Sequence, residues 1–250
     1  GRPELICHWE NRWGLLRPDP AESRQPWRFT PIMPPKAEGE WPQFYHGTGL
    51  GDVDGDGRLD LLLNDGWWRQ PEDSSAAWEE HAYRFAPKGG AQMFASDVDG
   101  DGRSDILTSL DAHGWGLAWF RQQAGGEGKA QFEQRTIMGD RTELEKYGAA
   151  FTQPHALALA DVNGDGLMDL VTGKRRWAHG PKGDIEPEAA PVVYWFEAYR
   201  NSEGAGFRPH LVDEASGVGV QIQAVDVNAD GRIDLLTASK LGVFVFLQEP

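Results

Sequence analysis

Residues 52–60 read DVDGDGRLD, and closely similar segments follow at 97–105 (DVDGDGRSD), 161–169 (DVNGDGLMD) and 226–234 (DVNADGRID). Their first aspartates are 45, 64 and 65 residues apart. Each segment leads directly into a stretch rich in Leu, Ile, Val and Thr, which favours a β-strand. Intervals of this size match one four-stranded blade of a β-propeller with loop insertions. The repeat therefore predicts an all-β propeller built from consecutive four-stranded blades.

The sequence between the repeats is also periodic. A short run of small and apolar residues precedes each segment, and an aromatic strand and an amphipathic strand follow it. This pattern predicts a single propeller region with approximate units 1–40, 41–88, 89–140, 150–214 and 215–250. Residues 1–7 align with 57–63, and the last unit stops after its third strand. We therefore interpret the chain as a fragment of a larger, about seven-bladed propeller, with closure from five blades alone as the alternative.

The pattern D-x-[DN]-x-D-G-x-x-D predicts a calcium site. Side-chain oxygens at positions 1, 3, 5 and 9 and the carbonyl at position 7 can surround an ion, while the glycine permits the sharp bend. Oxygen ligands without His or Cys favour calcium over zinc or copper, and magnesium prefers a stiffer octahedron. An EF-hand is excluded because position 12 lacks its glutamate and lies in a strand-like run.

About four calcium ions are thus expected, one per loop. The predicted ligands are Asp52, Asp54, Asp56, Arg58, Asp60, Asp97, Asp99, Asp101, Arg103, Asp105, Asp161, Asn163, Asp165, Leu167, Asp169, Asp226, Asn228, Asp230, Arg232 and Asp234, with position 7 contributing its backbone carbonyl. Ala229 stands where the other loops have glycine, so the last loop is expected to be slightly strained and its site the weakest.

Charge and composition narrow the possible partners. The chain has 24 Lys+Arg against 39 Asp+Glu, a formal net charge of −15, which disfavours binding to nucleic acid or anionic membranes. The four loops hold fourteen aspartates, and four divalent cations would bring the net charge to about −7. No segment approaches the roughly 20 apolar residues of a membrane span, so no membrane insertion is expected. Calcium loops of this kind fill at extracellular calcium levels, which predicts an extracellular, periplasmic or cell-surface location.

The repeated DVDGDGRxD and DVNGDGxxD units resemble the FG-GAP/VCBS repeats of integrin-alpha-type propellers and of many exported bacterial proteins. Residues 153–184 and 216–231 resemble the VCBS proteins of environmental bacteria. Sugar-lyase propellers of the fungal aldos-2-ulose dehydratase type are similar at a greater distance. The resemblance implies a calcium-binding propeller more firmly than it implies a reaction.

Two histidines and two glutamines could form a second site near the propeller axis. His46 and His155 stand six residues before their cation loops, and Gln92 and Gln221 stand one position further on. Because innermost strands line the channel, these side chains could begin a zinc or sugar site. The alternative is ordinary hydrogen bonding at strand ends. A third protein ligand for zinc is not evident from the sequence.

A basic and aromatic loop follows the third repeat. Arg175 and Trp177, flanked by Lys174 and His179, could bind a carboxylated or hydroxylated sugar, with Trp177 stacking on a ring face. A solvated connection between blades is the alternative interpretation.

We expect an exported, calcium-stabilised module that binds carbohydrate or protein, with further domains of the same polypeptide as possible partners. One alternative is a carbon–oxygen lyase or dehydratase for oxidised sugars, with His46, His155, Lys174 and His179 as candidate catalytic residues. The other alternative is an integrin-like adhesion surface. The sequence contains no nucleophile-elbow, P-loop, Rossmann or zinc-protease motif.

Overall fold

The computed structural model describes residues 4–19, 21–22, 24–41, 45–125 and 130–250. Strands account for 44% of the chain and helices for 3%, so the protein is nearly all-β, as the repeat predicts. Residues 1–3, which belong to the predicted alignment of 1–7 with 57–63, lie outside the described part. No helix among the described residues is long and apolar enough to cross a bilayer.

The strands follow one another in five groups. The first group is β1 (Leu5–Trp9), β2 (Arg12–Arg17) and β3 (Arg28–Pro31). The second is β4 (Thr48–Gly51), β5 (Asp60–Leu63), β6 (Gly66–Arg69) and β7 (Glu79–Ala82). The third is β8 (Gln92–Ser96), β9 (Asp105–Ser109), β10 (Leu117–Gln123) and β11 (Gln131–Met138). The fourth is β12 (Pro154–Ala160), β13 (Asp169–Lys174), β14 (Val193–Asn201) and β15 (Gly204–Asp213). The fifth is β16 (Ile222–Val225), β17 (Asp234–Ser239) and β18 (Gly242–Phe246).

Within each group, consecutive strands pair antiparallel. In the last four groups, the predicted cation loop connects the first strand to the second. Each predicted unit contains one group, while the exact boundaries between units remain a prediction.

The second and third groups are joined into one eight-stranded sheet. Their first strands, β4 and β8, pair in parallel, with residues 48–50 opposite residues 92–94. Gly49 permits this close approach, because a Cβ atom there would lie 1.8 Å from the carbonyl oxygen of Met93. The repeat pattern predicts separate four-stranded blades, so this junction is a feature that the pattern does not contain.

Hydrophobic side chains pack between neighbouring groups. Trp13 of the first group shares a cluster with Trp68 of the second. Trp119 of the third group shares another with Phe196 of the fourth. This arrangement is expected of a repeat protein, in which each unit buries its apolar face against the next. It also draws the first strands together, and β12 contacts both β8 and β16.

The small helical part lies between the third and fourth groups, in the segment that the predicted units leave out. A 3₁₀ turn (Arg141–Glu143) leads into α1 (Leu144–Tyr147). Asp140 caps the start, and Gly148 ends the helix in the left-handed conformation with φ 73°. The helix occupies part of the 64-residue interval between the second and third cation loops.

Candidate functional site

The four cation loops share a turn that is held by their first aspartate. The Asp52 carboxylate accepts hydrogen bonds from the backbone N–H groups of Gly55 and Gly57, at 2.8 and 2.9 Å. Asp97 accepts equivalent bonds at 2.7 and 3.0 Å in the second loop. In the last two loops the first aspartate binds the N–H of the glycine at position 6, at 2.9 and 2.8 Å.

These turns bring several acidic groups together. Asp52, Asp54 and Asp60 each offer a carboxylate oxygen within 4.8 Å of the others. In the second loop, Asp97 and its neighbours at positions 3 and 5 do the same. Three clustered carboxylates repel one another unless a cation lies between them. The donor set consists of hard oxygens and therefore fits the predicted calcium ion.

The aspartate at position 9 has a second role that the sequence does not reveal. Asp105 is fully buried, and its two oxygens accept the backbone N–H groups of Val98 at 3.0 Å and Gln122 at 2.7 Å. It thereby connects the start of the loop to the end of the third strand of the same group. The equivalent residues Asp60, Asp169 and Asp234 are also fully buried and make the same pair of bonds. Burial raises the pKa of both Asp60 and Asp105 to about 6.

The arginine at position 7 also acts through its side chain. Arg103 donates from Nε to the Gln122 carbonyl oxygen at 3.2 Å and pairs with the Asp101 carboxylate. Arg58 and Arg232 make the corresponding contacts in the first and last loops. Leu167 replaces this arginine in the third loop, so that loop lacks the bridge.

The balance of charge consequently differs among the loops. Arg121 pairs with Asp99 and Asp101 in the second loop, and Arg69 pairs with two aspartates of the first. In the described part of the chain, no arginine or lysine forms an ion pair with any aspartate of the loop at 161–169. The third loop therefore carries the most uncompensated negative charge.

Ala229 adopts φ 61° in the last loop, where the glycines of the other three have φ between 75° and 82°. A left-handed conformation costs a non-glycine residue about 1–2 kcal/mol. The strain that the sequence predicts at Ala229 therefore has a structural basis. The weakness of that site remains a prediction.

A pocket of about 290 Å³ lies beside the first strands of the last four groups, and we call it the axial pocket. It is lined by Tyr45, His46, Gly47, Thr48, Gly90, Ala91, Gln92, His155, Val220 and Gln221. All four residues predicted near the axis thus line one pocket. Gln92 is engaged by the protein itself, because its amide donates to the Val220 carbonyl at 3.1 Å and accepts from Leu157 N–H at 2.8 Å. Gln221 is exposed at the rim.

Two further histidines lie beside the pocket. The His113 ring, from the loop after β9, has its centroid 4.9 Å from that of His46 and 5.0 Å from that of His155. The His46 and His155 rings are 4.7 Å apart, and the His179 ring lies 4.7 Å from His113. Sequence reasoning missed His113, because it belongs to no repeat position and only folding brings its loop to the axis.

Burial and positive neighbours lower the pKa of His46, His113 and His155 and so favour their neutral forms. Burial, reinforced by the charge of Arg175, lowers the pKa of His155 to about 3. Burial also lowers the pKa of both His46 and His113. The positive charge of Arg175 contributes to the lowered pKa of all three imidazoles. Neutral imidazoles can accept a proton, donate a hydrogen bond or bind a metal.

No residue of the basic loop, Arg175 included, lines the axial pocket. Lys174 is 1% exposed, and its ammonium donates to the Thr152 hydroxyl, so it faces the interior. The Trp177 indole N–H donates to the Pro187 carbonyl at 3.0 Å, and the Arg176 guanidinium lies 4.6 Å from the ring centroid. The Arg176 guanidinium therefore covers one face of the Trp177 ring, and that face is not free to stack on a sugar.

Asp184 holds the backbone of His179, which lies next to the other histidines. Its side chain is 1% exposed, and its Oδ1 accepts the backbone N–H of His179 at 2.9 Å. Burial acts to raise the pKa of Asp184, but hydrogen bonding from His179 helps to hold it below its ordinary value. Gln153 is fully buried with φ 59°, a left-handed conformation that is rare for this residue type. Strained backbone of this kind is concentrated at functional sites.

A comparison with known protein families supports the repeat that the sequence predicts. Residues 97–172 match the family model of the FG-GAP-like repeat. This segment runs from the second cation loop through the third and into β13. Residues 97–172 therefore form an FG-GAP-like repeat, and the nearly all-β sheets of the chain are consistent with part of a β-propeller. The assignment to the VCBS group remains a prediction. No curated protein gives a significant match to the chain.

Proposed function

We propose that this chain is a calcium-stabilised binding module, working outside the cytoplasm, whose axial pocket binds a hydroxylated, acidic ligand of the carbohydrate class. The observation that carries the proposal is the axial pocket itself, which His46 and His155 line and where the positive charge of Arg175 lowers the pKa of both imidazoles. Neither side chain is part of a cation loop, so the pocket is available for a ligand.

Calcium would supply the stability of the scaffold. The oxygens of Asp52, Asp54 and Asp60 already lie within 4.8 Å of one another, so ion binding requires little rearrangement. If free calcium exceeds the dissociation constant about a thousandfold, each site adds roughly 4 kcal/mol to the free energy of unfolding. Calcium near millimolar, as found outside cells, would meet this condition for loops of moderate affinity.

The chemistry of the pocket favours a short acidic sugar. Its volume is at the lower end of the roughly 300–1,000 Å³ of small-molecule pockets, which suits a ligand of few rings. The charge of Arg175, which acts on the pocket from outside its lining, attracts a carboxylate, and the imidazoles of His46 and His155 can hydrogen-bond hydroxyl groups.

Calorimetric titration of the calcium-loaded protein tests the proposal directly. Uronic acids and the matching neutral sugars should be compared on the wild type and on Arg175→Gln. We expect the wild type to prefer the uronic acid, and the variant to lose at least about tenfold in affinity for it. Arg135→Gln is the matched control, because Arg135 is a half-exposed arginine on β11 paired with Glu133. Equal binding by wild type and Arg175→Gln, or binding only to protein on parallel arrays, would refute the acidic-sugar ligand. The latter result would favour an adhesion surface.

A second candidate function is a lyase for oxidised sugars. The observation that favours it is the position of His155 in the axial pocket, close enough to Arg175 to feel its charge. The imidazole would take the proton from the carbon next to the sugar carbonyl, Arg175 would stabilise the enolate, and the imidazolium would return the proton to the β-hydroxyl, which leaves as water. Lys174 does not take part in this reaction, because it is buried against Thr152. Formation of an unsaturated product from keto-sugars or uronic acids, monitored by ultraviolet absorbance, would establish turnover. Its loss in His155→Gln would assign the base, and absence of product with the wild type would leave the binding function alone.

A further inference from the structure

Three histidines from different parts of the chain converge at one point beside the axial pocket. His46 precedes β4, His113 lies in the loop after β9, and His155 lies in β12. The two Nε2 atoms of His46 and His113 are 3.0 Å apart, and one ring nitrogen of each of the three lies within 4.8 Å of the others. The planes of the His113 and His155 rings are nearly perpendicular, at 89°, so the rings do not stack.

Several ring nitrogens of these histidines have no hydrogen-bond partner in the described structure. His155 is only 7% exposed, and both of its ring nitrogens are buried without a hydrogen bond in the described structure. Nδ1 of His113 is also buried without a hydrogen bond. Buried polar atoms normally have a hydrogen-bonding partner, and the exceptions require an explanation such as an ion.

We propose that His46, His113 and His155 form a transition-metal site, with zinc as the ion that the ligand chemistry favours. Zinc–nitrogen bonds of about 2.0–2.1 Å in a tetrahedron place the nitrogens roughly 3.3 Å apart, close to the observed 3.0 Å between two of them. Three neutral imidazoles suit zinc and similar metals, whereas calcium and magnesium prefer oxygen. This site is thus chemically distinct from the four cation loops.

A three-histidine site keeps one coordination position open. His46 and His155 line the axial pocket, so that position would be accessible from it. The nearby charge of Arg175 opposes a bare cation but favours an anion bound between the metal and the guanidinium. The open position would therefore take a carboxylate or a hydroxide. This last step rests on the proposed function, whereas the metal site itself does not.

Metal titration without any sugar tests the site. The protein should be stripped with a chelator, saturated with calcium to occupy the cation loops, and then titrated with zinc while bound metal is measured by mass spectrometry. We expect one zinc per chain. Loss of a direct ligand in His113→Gln should weaken zinc binding by more than the roughly 10–100-fold that loss of a supporting group costs. His113→Gln is suitable because His113 lies in a loop, and unchanged circular dichroism and calcium stoichiometry would show that the variant folds.

His210→Gln is the matched control. His210 is an exposed histidine on β15 whose Nε2 lies 2.8 Å from Glu197 Oε2, and its loss should leave zinc binding unchanged. Cobalt provides a second readout, because four-coordinate cobalt has intense visible absorption bands that six-coordinate cobalt lacks. Those bands should appear with the wild type and disappear in His113→Gln and His155→Gln. The absence of zinc binding in the presence of calcium, or equal binding by wild type and His113→Gln, would overturn the proposal. Either result would leave sugar binding by the calcium-loaded protein open to its own test.

Discussion

The parallel junction between β4 and β8 depends on Gly49, and replacing Gly49 with alanine tests it directly. A Cβ atom at this position would lie 1.8 Å from the Met93 carbonyl oxygen and 2.6 Å from its carbonyl carbon. Both contacts are with backbone, so no side-chain rotation can relieve them. The strands must move apart, and the pairing of residues 48–50 with 92–94 is lost.

The expected cost follows from the bonds in that short ladder. Losing two or three backbone hydrogen bonds at about 1 kcal/mol each, with some loosening of the adjoining core, lowers the free energy of unfolding by roughly 2–4 kcal/mol. For a chain of this size, 1 kcal/mol corresponds to roughly 2–4 °C, so the melting temperature should fall by about 4–16 °C. The same separation would move His46 away from Gln92 and open the axial pocket.

Differential scanning calorimetry in saturating calcium measures this change. Leu50→Ala is the control, because Leu50 is the next residue in β4 and is 43% exposed, so its truncation should change the melting temperature much less. If Gly49→Ala melts within about 2 °C of the wild type, the two strands are not in contact. The second and third groups would then form separate blades, and the reasoning from Gly49 would be refuted.

Three further predictions concern the ions and the buried imidazole. Chelation of calcium should lower the melting temperature by at least about 10 °C, measured by calorimetry with and without EGTA; an unchanged value would show that the loops are not calcium sites. Arg121→Gln should raise the calcium affinity of the second loop and destabilise the calcium-free protein, because the guanidinium that pairs with Asp99 and Asp101 competes with the ion for these carboxylates. Titration calorimetry would detect this, and equal affinities would exclude such competition. In metal-free protein, the lowered pKa of His155 means that this side chain binds a proton more readily in the unfolded chain than in the folded chain. The contribution of the neutral imidazole to the free energy of unfolding is therefore fully present above about pH 6.5 and declines as the pH falls towards 3. Urea unfolding of His155→Gln should show a fall that is shallower by up to about 1.4 kcal/mol per pH unit, and parallel curves would contradict the assignment.

The turns of the cation loops could be predicted from the local sequence. Positions 1 to 6 of each loop interact with one another, as when Asp52 binds the N–H groups of Gly55 and Gly57. Such a turn is specified by residues within a few positions, so its shape could be predicted from the repeat alone. The second strands could be predicted for the same reason, since β-branched and leucine residues follow each loop directly.

The role of Asp105 as a buried connection could not be predicted in the same way. Its partner Gln122 is seventeen residues away, and only the register of β9 with β10 brings the two together. The basic residues around Lys174 in the sequence predict a catalytic role for it. In the folded chain its ammonium lies against Thr152, because β13 directs that side chain into the interior.

The amino-acid sequence by itself determined the repeated acidic turns, the nearly all-β class and the position of His46 and His155 at equivalent points before their loops. These properties arise from interactions between near neighbours and from alternation along single strands. Only the tertiary structure decided that β4 and β8 pair, that His113 joins the two predicted histidines, and that their nitrogens are left buried without partners. Such contacts depend on how separate strand groups pack against one another, which no local pattern of residues encodes.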